Sequence, residues 1–204
     1  MKIDKRILGV CDIASKESAR PQLASVRFEN GKAVATDGYS LMVIEQEKIE
    51  DDEIPKVAGF DYVSVDGLSL PAQPLAKFVK EIKRNKFLPV LSTGWTVRNE
   101  EGRVTLATTD LEETSIKEMK QPEGEYPNYQ KVIDGEMKKE PVVKISFDPI
   151  KMILLLQAMV KAGATSCRPV TVRVSGDLNP IIITTQDGQE REIFALLMPM
   201  RTSE

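Results

Sequence analysis

Val34-Ala35-Thr36-Asp37-Gly38-Tyr39 is the stretch that decides the fold, because a common turn signal, Asp37-Gly38, lies between two strand-like stretches. Residues 32–36 and residues 40–45 are apolar or alternate between apolar and polar, which is typical of β-strands. A second turn signal, Asn30-Gly31, separates residues 32–36 from another such stretch at residues 23–29. The sequence therefore predicts three consecutive strands joined by turns.

A helix is predicted upstream of these strands. Residues 5–14 carry apolar side chains near helical spacing, and a short strand at residues 1–4 precedes them. The order of one strand, one helix and three strands recurs twice, as a pattern and not as sequence identity.

The second and third copies have their own start and stop signals. In the second we expect extended residues 61–70, a helix that starts near Pro71 and Pro74 and ends near Asn85, and strands near residues 90–92, 95–99, 103–108 and 114–117. In the third we expect extended residues 141–147, a helix capped by Asp148 and ending near Ala162, and strands at residues 171–175, 180–185 and 192–198.

Two polar segments divide the chain. The acidic residues 45–53, followed by Ile54-Pro55, and residues 121–140, which include Pro122-Glu123-Gly124, are typical of connectors. We therefore predict an α+β protein with a complete two-unit domain at residues 1–120, a connector at residues 121–140 and a single unit at residues 141–204.

The composition excludes several kinds of site. Apolar residues make up 41% and charged residues 29% of the 204 residues, as in globular proteins, and the net charge is −3. The chain has no histidine, and its two cysteines, Cys11 and Cys167, lie far apart. Tetrahedral zinc sites and histidine-based triads therefore lack their residues, and we expect both thiols to be buried or idle.

Catalysis has little support in the sequence. It contains no Gly-rich phosphate loop, no GxSxG and no HExxH motif. The acidic residues 50–53 could hold a divalent ion, but consecutive carboxylates in a polar connector are usually solvated. No apolar run could span a bilayer, and the first six residues lack the apolar core of a signal peptide. We predict a cytoplasmic binding protein with no catalytic residue, no metal, no cofactor and no membrane contact.

Three short motifs in a fixed order carry a family resemblance. They are residues 34–39, Tyr126-Pro127-Asn128-Tyr129 and Met198-Pro199-Met200-Arg201. With them the chain resembles the bacterial DNA polymerase sliding clamps, the beta subunits of DNA polymerase III. The resemblance implies the DNA-clamp fold, in which paired strand-helix-three-strand units place antiparallel sheets outside and helices on the other face. The first two units resemble the middle domain of a clamp, and the third resembles the last half of its final domain.

The resemblance also implies a hydrophobic pocket for short linear peptides of polymerases, clamp loaders and repair proteins. The residues that match the walls of this pocket are Arg20, Leu23, Thr36, Gly38, Tyr39, Leu41, Pro127, Val132, Met198, Pro199, Met200 and Arg201. Arg20 and Leu23 are expected on one strand. The chemistry of the wall residues suits this task, since methionine adapts to different apolar partners and a rigid proline loses little conformational entropy when a peptide binds. The alternative is that Met198 and Met200 simply end a core strand.

The chain departs from the family pattern at two places. Tyr39-Ser40 stands where a basic or imidazole residue followed by arginine is usual, and Thr202-Ser203-Glu204 stands where a leucine commonly follows the arginine. We expect these changes to alter the preferred peptide more than they abolish binding.

The second predicted helix is basic on its polar side. Its one acidic residue is Glu81, and its cationic residues are Lys77, Lys80, Lys83, Arg84 and Lys86. In clamps the helices line the inner wall of the ring, so these five cations are the predicted contacts to duplex DNA. No aromatic residues lie between them, which predicts non-specific binding. The alternative is an ordinary solvated helix face.

The third predicted helix is apolar on nearly all sides, which predicts burial against another unit, in this chain or in another copy. An odd number of units leaves one sheet edge and one helix face to be covered, so we expect self-association. The predicted function is then a processivity factor whose oligomer encircles duplex DNA and tethers a polymerase. The alternative is a non-encircling peptide-binding module that competes with or regulates a full-length clamp.

Overall fold

A computed structural model of the protein describes residues 3–17, 19–46, 63–83, 85, 88–100, 102–141, 143–165 and 167–201. The chain divides into two compact units, Met1–Tyr129 (unit 1) and Gln130–Glu204 (unit 2). Helices and antiparallel sheets form both units, which confirms the predicted α+β class. Most of the acidic segment predicted as the first connector lies outside the described residues.

The first repeat of unit 1 contains one helix and three strands. Helix α1 spans Ile7–Ile13, and strands β1, β2 and β3 span Ser25–Glu29, Lys32–Thr36 and Leu41–Glu45. Asn30 and Gly31 join β1 to β2 with φ angles of 52° and 74°, the positive values that a two-residue type I′ hairpin requires. The predicted order of elements is confirmed in this repeat.

The second repeat of unit 1 follows the same order. Strand β4 spans Ser69–Pro71, helix α2 spans Ala72–Glu81, and strands β5, β6 and β7 span Trp95–Glu100, Arg103–Thr109 and Thr114–Lys120. Residues 90–92, predicted as a strand, belong instead to a 3-10 helix, Pro89–Ser92. Proline in the first turn favours a helical start, and the Ser92 hydroxyl accepts the N–H of Asn85 at 2.7 Å, which closes this turn locally.

The two repeats of unit 1 exchange strands. Strand β4, which precedes the helix of the second repeat, pairs with β1 of the first repeat, so the sheet order is β3-β2-β1-β4. In the other direction Ile3, which precedes the helix of the first repeat, pairs with Gly94 just before β5, with N···O distances of 2.9 and 2.7 Å. Each repeat therefore satisfies backbone groups of the other.

One hydrophobic core serves both repeats of unit 1. Ile7 and Val10 of α1, Leu75 and Phe78 of α2, and Leu106 of β6 are all fully buried in it. Helix α1 packs against α2 within this core. Because burying one such side chain contributes about 1.5–3 kcal/mol, the shared core holds the two repeats together as one body.

A helix that the sequence does not predict lies in the segment expected to be a connector. Helix α3 spans Tyr129–Met137 and begins at the last residue of unit 1. Gln130 donates from Nε2 to Asp134 Oδ1 at 2.8 Å, an i,i+4 hydrogen bond that supports the helix. Gly135 lowers the helix propensity of this segment, which is why its sequence does not indicate a helix.

Unit 2 contains one repeat among its described residues. Helix α4 spans Pro149–Lys161, and strands β8, β9 and β10 span Thr171–Arg173, Ile181–Gln186 and Glu192–Leu197 in the sheet order β10-β9-β8. Asp148 caps α4 as predicted, because its Oδ1 accepts the N–H groups of Ile150 and Lys151 at 2.9 and 3.3 Å.

Helix α4 is not buried on nearly all sides within the single chain, so its burial against another unit stays a prediction. Met159 is the one fully buried residue of the helix, and Met152 and Leu155 are half-buried against the small core of unit 2. Ile150 and Val160 are among its exposed apolar side chains. A single three-stranded sheet offers one surface, and a helix that is apolar all round keeps the rest of its side chains exposed.

Candidate peptide-binding site

The loop between β2 and β3 is organised by the carboxylate of Asp37. Its Oδ1 accepts the N–H of Tyr39 at 2.8 Å, and it accepts the N–H and the hydroxyl of Ser40 at 2.7 and 3.0 Å. The pKa of Asp37 is lowered by these hydrogen bonds, of which the one from the N–H of Ser40 has the largest effect. The shape of this loop is therefore fixed by the chain itself.

Thr36 and Gly38 complete the loop. The Thr36 hydroxyl donates to the carbonyl oxygen of Ser40 at 2.6 Å and accepts the N–H of Gly38 at 3.1 Å. Gly38 has a φ of 93°, and a Cβ there would meet no atom within 4 Å, so the backbone angle and not crowding selects glycine. The loop presents Tyr39, which is fully exposed, and Leu41, which is 38% exposed at the start of β3.

The Tyr126-Pro127 segment is attached to the end of β2. The hydroxyl of Tyr126 donates to the carbonyl oxygen of Val34 at 3.3 Å. Burial raises the pKa of Tyr126 to about 12, and the ring of Tyr129 packs edge-on against its ring at a centroid distance of 6.4 Å. Pro127, which is exposed, therefore lies next to a residue fixed to the strand that ends at Thr36.

Arg20 and Leu23 lie in a turn before β1, and the prediction that they share a strand is wrong. The carbonyl oxygen of Arg20 accepts the N–H groups of Leu23 and Ala24, both at 3.1 Å, so the chain turns here and the strand begins only at Ser25. Arg20 is exposed and Leu23 is half-buried. Gln22, in the same turn, donates from Nε2 to the carbonyl oxygen of Glu123 at 2.7 Å.

The remaining predicted residues belong to unit 2. Strand β10 ends at Leu197, and the two methionines that follow, Met198 and Met200, are 66% and 54% exposed, so they do not end a core strand. The N–H of Met200 donates to the carbonyl oxygen of Ser146 at 2.7 Å, which holds this tail beside the residues that precede α4. Pro199 is half-buried and Arg201 is exposed. Val132 is exposed on α3.

The predicted site residues are divided between the two units, and those of unit 1 form one group. In unit 1 the hydrogen bonds of Gln22 and Tyr126 connect the turn at Arg20, the loop after β2 and the segment around Pro127. In unit 2 the remaining predicted residues lie on two separate elements, the Met198–Arg201 tail and α3, which carries Val132.

Four residues hold the unit 1 group in place without being among the predicted site residues: Gln22, Asp37, Tyr126 and Tyr129. A signal for Tyr126 and Tyr129 was present, since they flank Pro127 in the same motif. No local pattern marks Gln22, because its partner lies 101 residues further along the chain.

The basic surface of α2 is smaller than predicted. The helix ends at Glu81 and not near Asn85, because Ile82 adopts an extended backbone and buries its side chain. The side chain of Asn85 then accepts the N–H of Leu88 at 2.9 Å, a local bond that competes with helix continuation. Lys77 and Lys80 are exposed on α2, whereas Arg84 and Lys86 lie outside the described residues.

Lys83 lies beyond the helix and pairs with acidic groups. Its Nζ is 2.7 Å from Oδ2 of Asp110 and 3.3 Å from Oε2 of Glu113, both in the turn between β6 and β7. The hydrogen bond from Lys83 is the main reason that the pKa of Asp110 falls to about 2. Two carboxylates offset the charge of Lys83, so it attracts a phosphate less than Lys77 and Lys80, which form no ion pair with a described residue.

Solved structures share this arrangement of repeats along the chain. A Caulobacter crescentus beta sliding clamp aligns with a TM-score of 0.67 and 17% identity, over 100% of this chain and 51% of that chain. This is the sliding-clamp fold. The beta subunit of Streptococcus pyogenes DNA polymerase aligns with a TM-score of 0.65 and 18% identity, over 96% of this chain and 47% of that chain. The predicted resemblance is confirmed at the level of the fold.

The sliding-clamp fold is present here at reduced length, since the chain spans about half of the clamp structures that it matches. The beta subunit of Pseudomonas aeruginosa DNA polymerase III gives a TM-score of 0.62 and 14% identity, over 98% of this chain and 50% of that chain. No model of a known protein family matches the sequence, and no curated protein matches it at a significant level. The structural comparisons therefore establish the fold of this chain.

The described residues also bear on membrane spans, metal sites and thiols. No helix in the described part of the chain is long and apolar enough to cross a membrane. Among the described residues no group of three or more Cys, Asp and Glu could hold a metal ion, and the acidic residues 50–53 lie outside them. Burial raises the pKa of the Cys11 thiol to about 12, whereas Cys167 is exposed. Of the two thiols, Cys11 is thus the buried one.

Proposed function

We propose that this chain is a sliding-clamp-like processivity factor that binds short linear peptides of DNA polymerases and other replication or repair proteins. The observation that carries the proposal is that the sliding-clamp fold extends over the whole chain. Such a protein acts by binding and not by catalysis, and it works in the cytoplasm beside the polymerase that it tethers.

The exposed apolar side chains of the predicted site residues support peptide binding. Leu41 and Tyr39 are presented by a loop whose shape is already fixed, so a peptide that binds there orders little of the chain. Met198 and Met200 are exposed and unbranched, and they can adapt to different apolar anchors. Arg201 adds a cation that can hold a carboxylate or a carbonyl oxygen of the peptide.

The test is a titration of the purified chain with a fluorescent peptide from the carboxyl terminus of a bacterial replicative DNA polymerase. Leu41→Asp and Met200→Asp should each weaken binding about tenfold or more, which corresponds to about 1.4 kcal/mol, because apolar anchors carry most of such affinity. Leu111→Asp and Met137→Asp are the matched controls, since both residues are exposed and neither belongs to the proposed site. Unchanged affinity in both site variants would contradict the proposal.

DNA contact forms the second part of the proposal. Lys77 and Lys80 on α2 can attract phosphates without reading bases, which allows a protein to slide along duplex DNA. A closed ring of several copies would remain on circular DNA and leave linear DNA through its ends. Retention on circular DNA alone is therefore the expected result for an encircling oligomer.

A non-encircling module is the alternative function. The observation that favours it is that this chain spans about half of the clamp structures that it matches. Such a module would keep peptide binding and show equal retention on circular and linear DNA. It would also compete with a full-length clamp for the same fluorescent peptide.

A further inference from the structure

Unit 1 shows how two repeats of this fold cover each other. Helix α1 packs on α2, and the segment before each helix pairs with the first strand after the helix of the other repeat. As a result both of these first strands are buried. Ser25 and Val26 of β1 have no exposed surface, and Trp95 and Thr96 of β5 are exposed by 2% or less.

The corresponding strand of unit 2 is exposed. Strand β8 is the first strand after α4, and it occupies one edge of its sheet with β9 as its partner. All three of its residues are exposed, in contrast to β1 and β5. The segment before α4 also carries exposed apolar side chains, Val143 and Phe147. An exposed edge strand is a site for strand addition.

Helix α4 carries an exposed apolar stripe beside its buried side. Ile153, Leu156 and Val160 recur at i, i+3 and i+7, so they lie along one line of the helix surface, and Ile150 extends this line by one turn. Ala158, in contrast, is exposed but is not three, four or seven residues from any of these side chains, so it lies outside the stripe. Counted from the residue that caps each helix, Leu75 and Phe78 of α2 correspond to Met152 and Leu155 on the buried side of α4, so the stripe lies outside the face that the core of unit 2 covers.

We propose that a second copy of this chain covers this surface of unit 2. In the pair, the stripe of α4 packs on the stripe of the other copy's α4, and residues 143–147 of each copy add to β8 of the other. The two contacts are reciprocal, as they are between the repeats of unit 1, so one two-fold axis generates both.

The exposed apolar surface is large enough for such a pair. Six side chains take part, with exposed fractions between 37% and 65%: Ile150, Ile153, Leu156, Val160, Val170 and Val172. Each presents on the order of 100 Å², so a two-fold pair buries roughly 1,200 Å², the lower end of the range for stable interfaces. The inference deepens the oligomer part of the proposed function and rests on it only for ring closure, since peptide binding by a single chain does not require the pair.

The experiment measures the mass of the full chain by sedimentation or light scattering across a concentration series. We expect twice the mass of one chain above roughly 10 µM. Ile153→Lys and Val160→Lys should each return the mass to one chain, because each places a charge in the stripe. Ala158→Lys is the matched control on the same helix and should leave the mass of the pair unchanged. Circular dichroism of each variant shows whether the fold is kept.

Hydrogen exchange provides a second measurement on the unaltered protein. The backbone N–H groups of β8 and of residues 143–147 should be protected at high concentration and lose this protection on dilution. A one-chain mass at all concentrations would overturn the inference, as would a two-chain mass that survives both lysine substitutions. Protection of β8 that does not depend on concentration would show that another part of the same chain covers it. Peptide affinity is measured separately, so failure of the pair and failure of the proposed function are distinguishable.

Discussion

The hydroxyl of Tyr126 donates a hydrogen bond to the backbone carbonyl oxygen of Val34 at 3.3 Å, across 92 positions of sequence. This bond fixes the segment that carries Pro127 to the strand that ends at Thr36. Two of the three motifs that suggest the clamp family are therefore joined in space within unit 1. The Tyr126-Pro127 segment is therefore attached to β2, the strand that leads into the loop at Asp37.

Tyr126→Phe removes this bond and retains the ring. We expect a loss of about 1 kcal/mol in the free energy of unfolding, because a part-buried carbonyl loses its partner. Chemical denaturation measures this change. Tyr39→Phe is the control, since the side chain of Tyr39 is fully exposed and its variant should unfold like the original protein. Equal loss in both variants would show that the Val34 contact contributes nothing.

Two glycines should respond to alanine in opposite directions. Gly38→Ala places a side chain at a φ of 93°, and the strain should cost about 1–2 kcal/mol. Gly135→Ala lies inside α3, where a Cβ meets no atom within 4 Å, and it should stabilise by about 0.5–1 kcal/mol through helix propensity. Thermal unfolding of the two variants shows whether each substitution raises or lowers the stability of the protein. Stabilisation by Gly38→Ala would contradict the loop conformation.

Acid should weaken the turn between β6 and β7. The pKa of Asp110 is lowered from 3.8 to about 2 in the folded chain, chiefly by Lys83. A lowered folded pKa means that the stabilisation is fully present above the unfolded value and is lost as the pH falls through the folded one. Between pH 4 and pH 2 the unfolding free energy of Asp110→Asn should therefore fall less steeply than that of the original protein. Chemical denaturation at several pH values measures this slope, and equal slopes in the two proteins would contradict the prediction.

Lys77→Glu combined with Lys80→Glu should weaken binding to duplex DNA and reduce its dependence on salt. Each lost phosphate contact lowers the slope of log affinity against log salt by about 1. Lys16→Glu combined with Lys138→Glu, which changes two exposed lysines outside α2, is the control for net charge. Fluorescence anisotropy with a labelled duplex at several salt concentrations measures both quantities. The same slope in the control and in the α2 variant would remove α2 from the DNA surface.

Local chemistry made much of the fold predictable. Asn30-Gly31 specifies one hairpin, and Asp148 with Pro149 specifies the start of α4. The end of α2 could not be predicted, because it depends on the burial of Ile82 in the shared core and not on residues near it in sequence. Helix α3 was missed because Gly135 lowers the helix propensity of its segment. The hydrogen bond between the side chains of Gln130 and Asp134, four residues apart, supports the helix nonetheless.

The candidate site was predictable to a smaller extent. The exposed residues, such as Leu41 and Met200, are identified by motif. The residues that hold the unit 1 group in place, Gln22 and Tyr126, act through partners about a hundred positions away, and no periodicity or spacing indicates such contacts. The acidic partners of Lys83 were missed for the same reason, since they belong to a hairpin that the helix meets only in the folded chain.

The strand exchange in unit 1 has a consequence for folding. Neither repeat completes its sheet from its own sequence, because Ile3 bonds to Gly94 and β4 bonds to β1. A chain cut between residues 46 and 63 would thus give two fragments that are each unfolded alone and that regain structure when mixed. Unit 1 should accordingly unfold in a single cooperative transition, and fragment complementation would recover it from its halves.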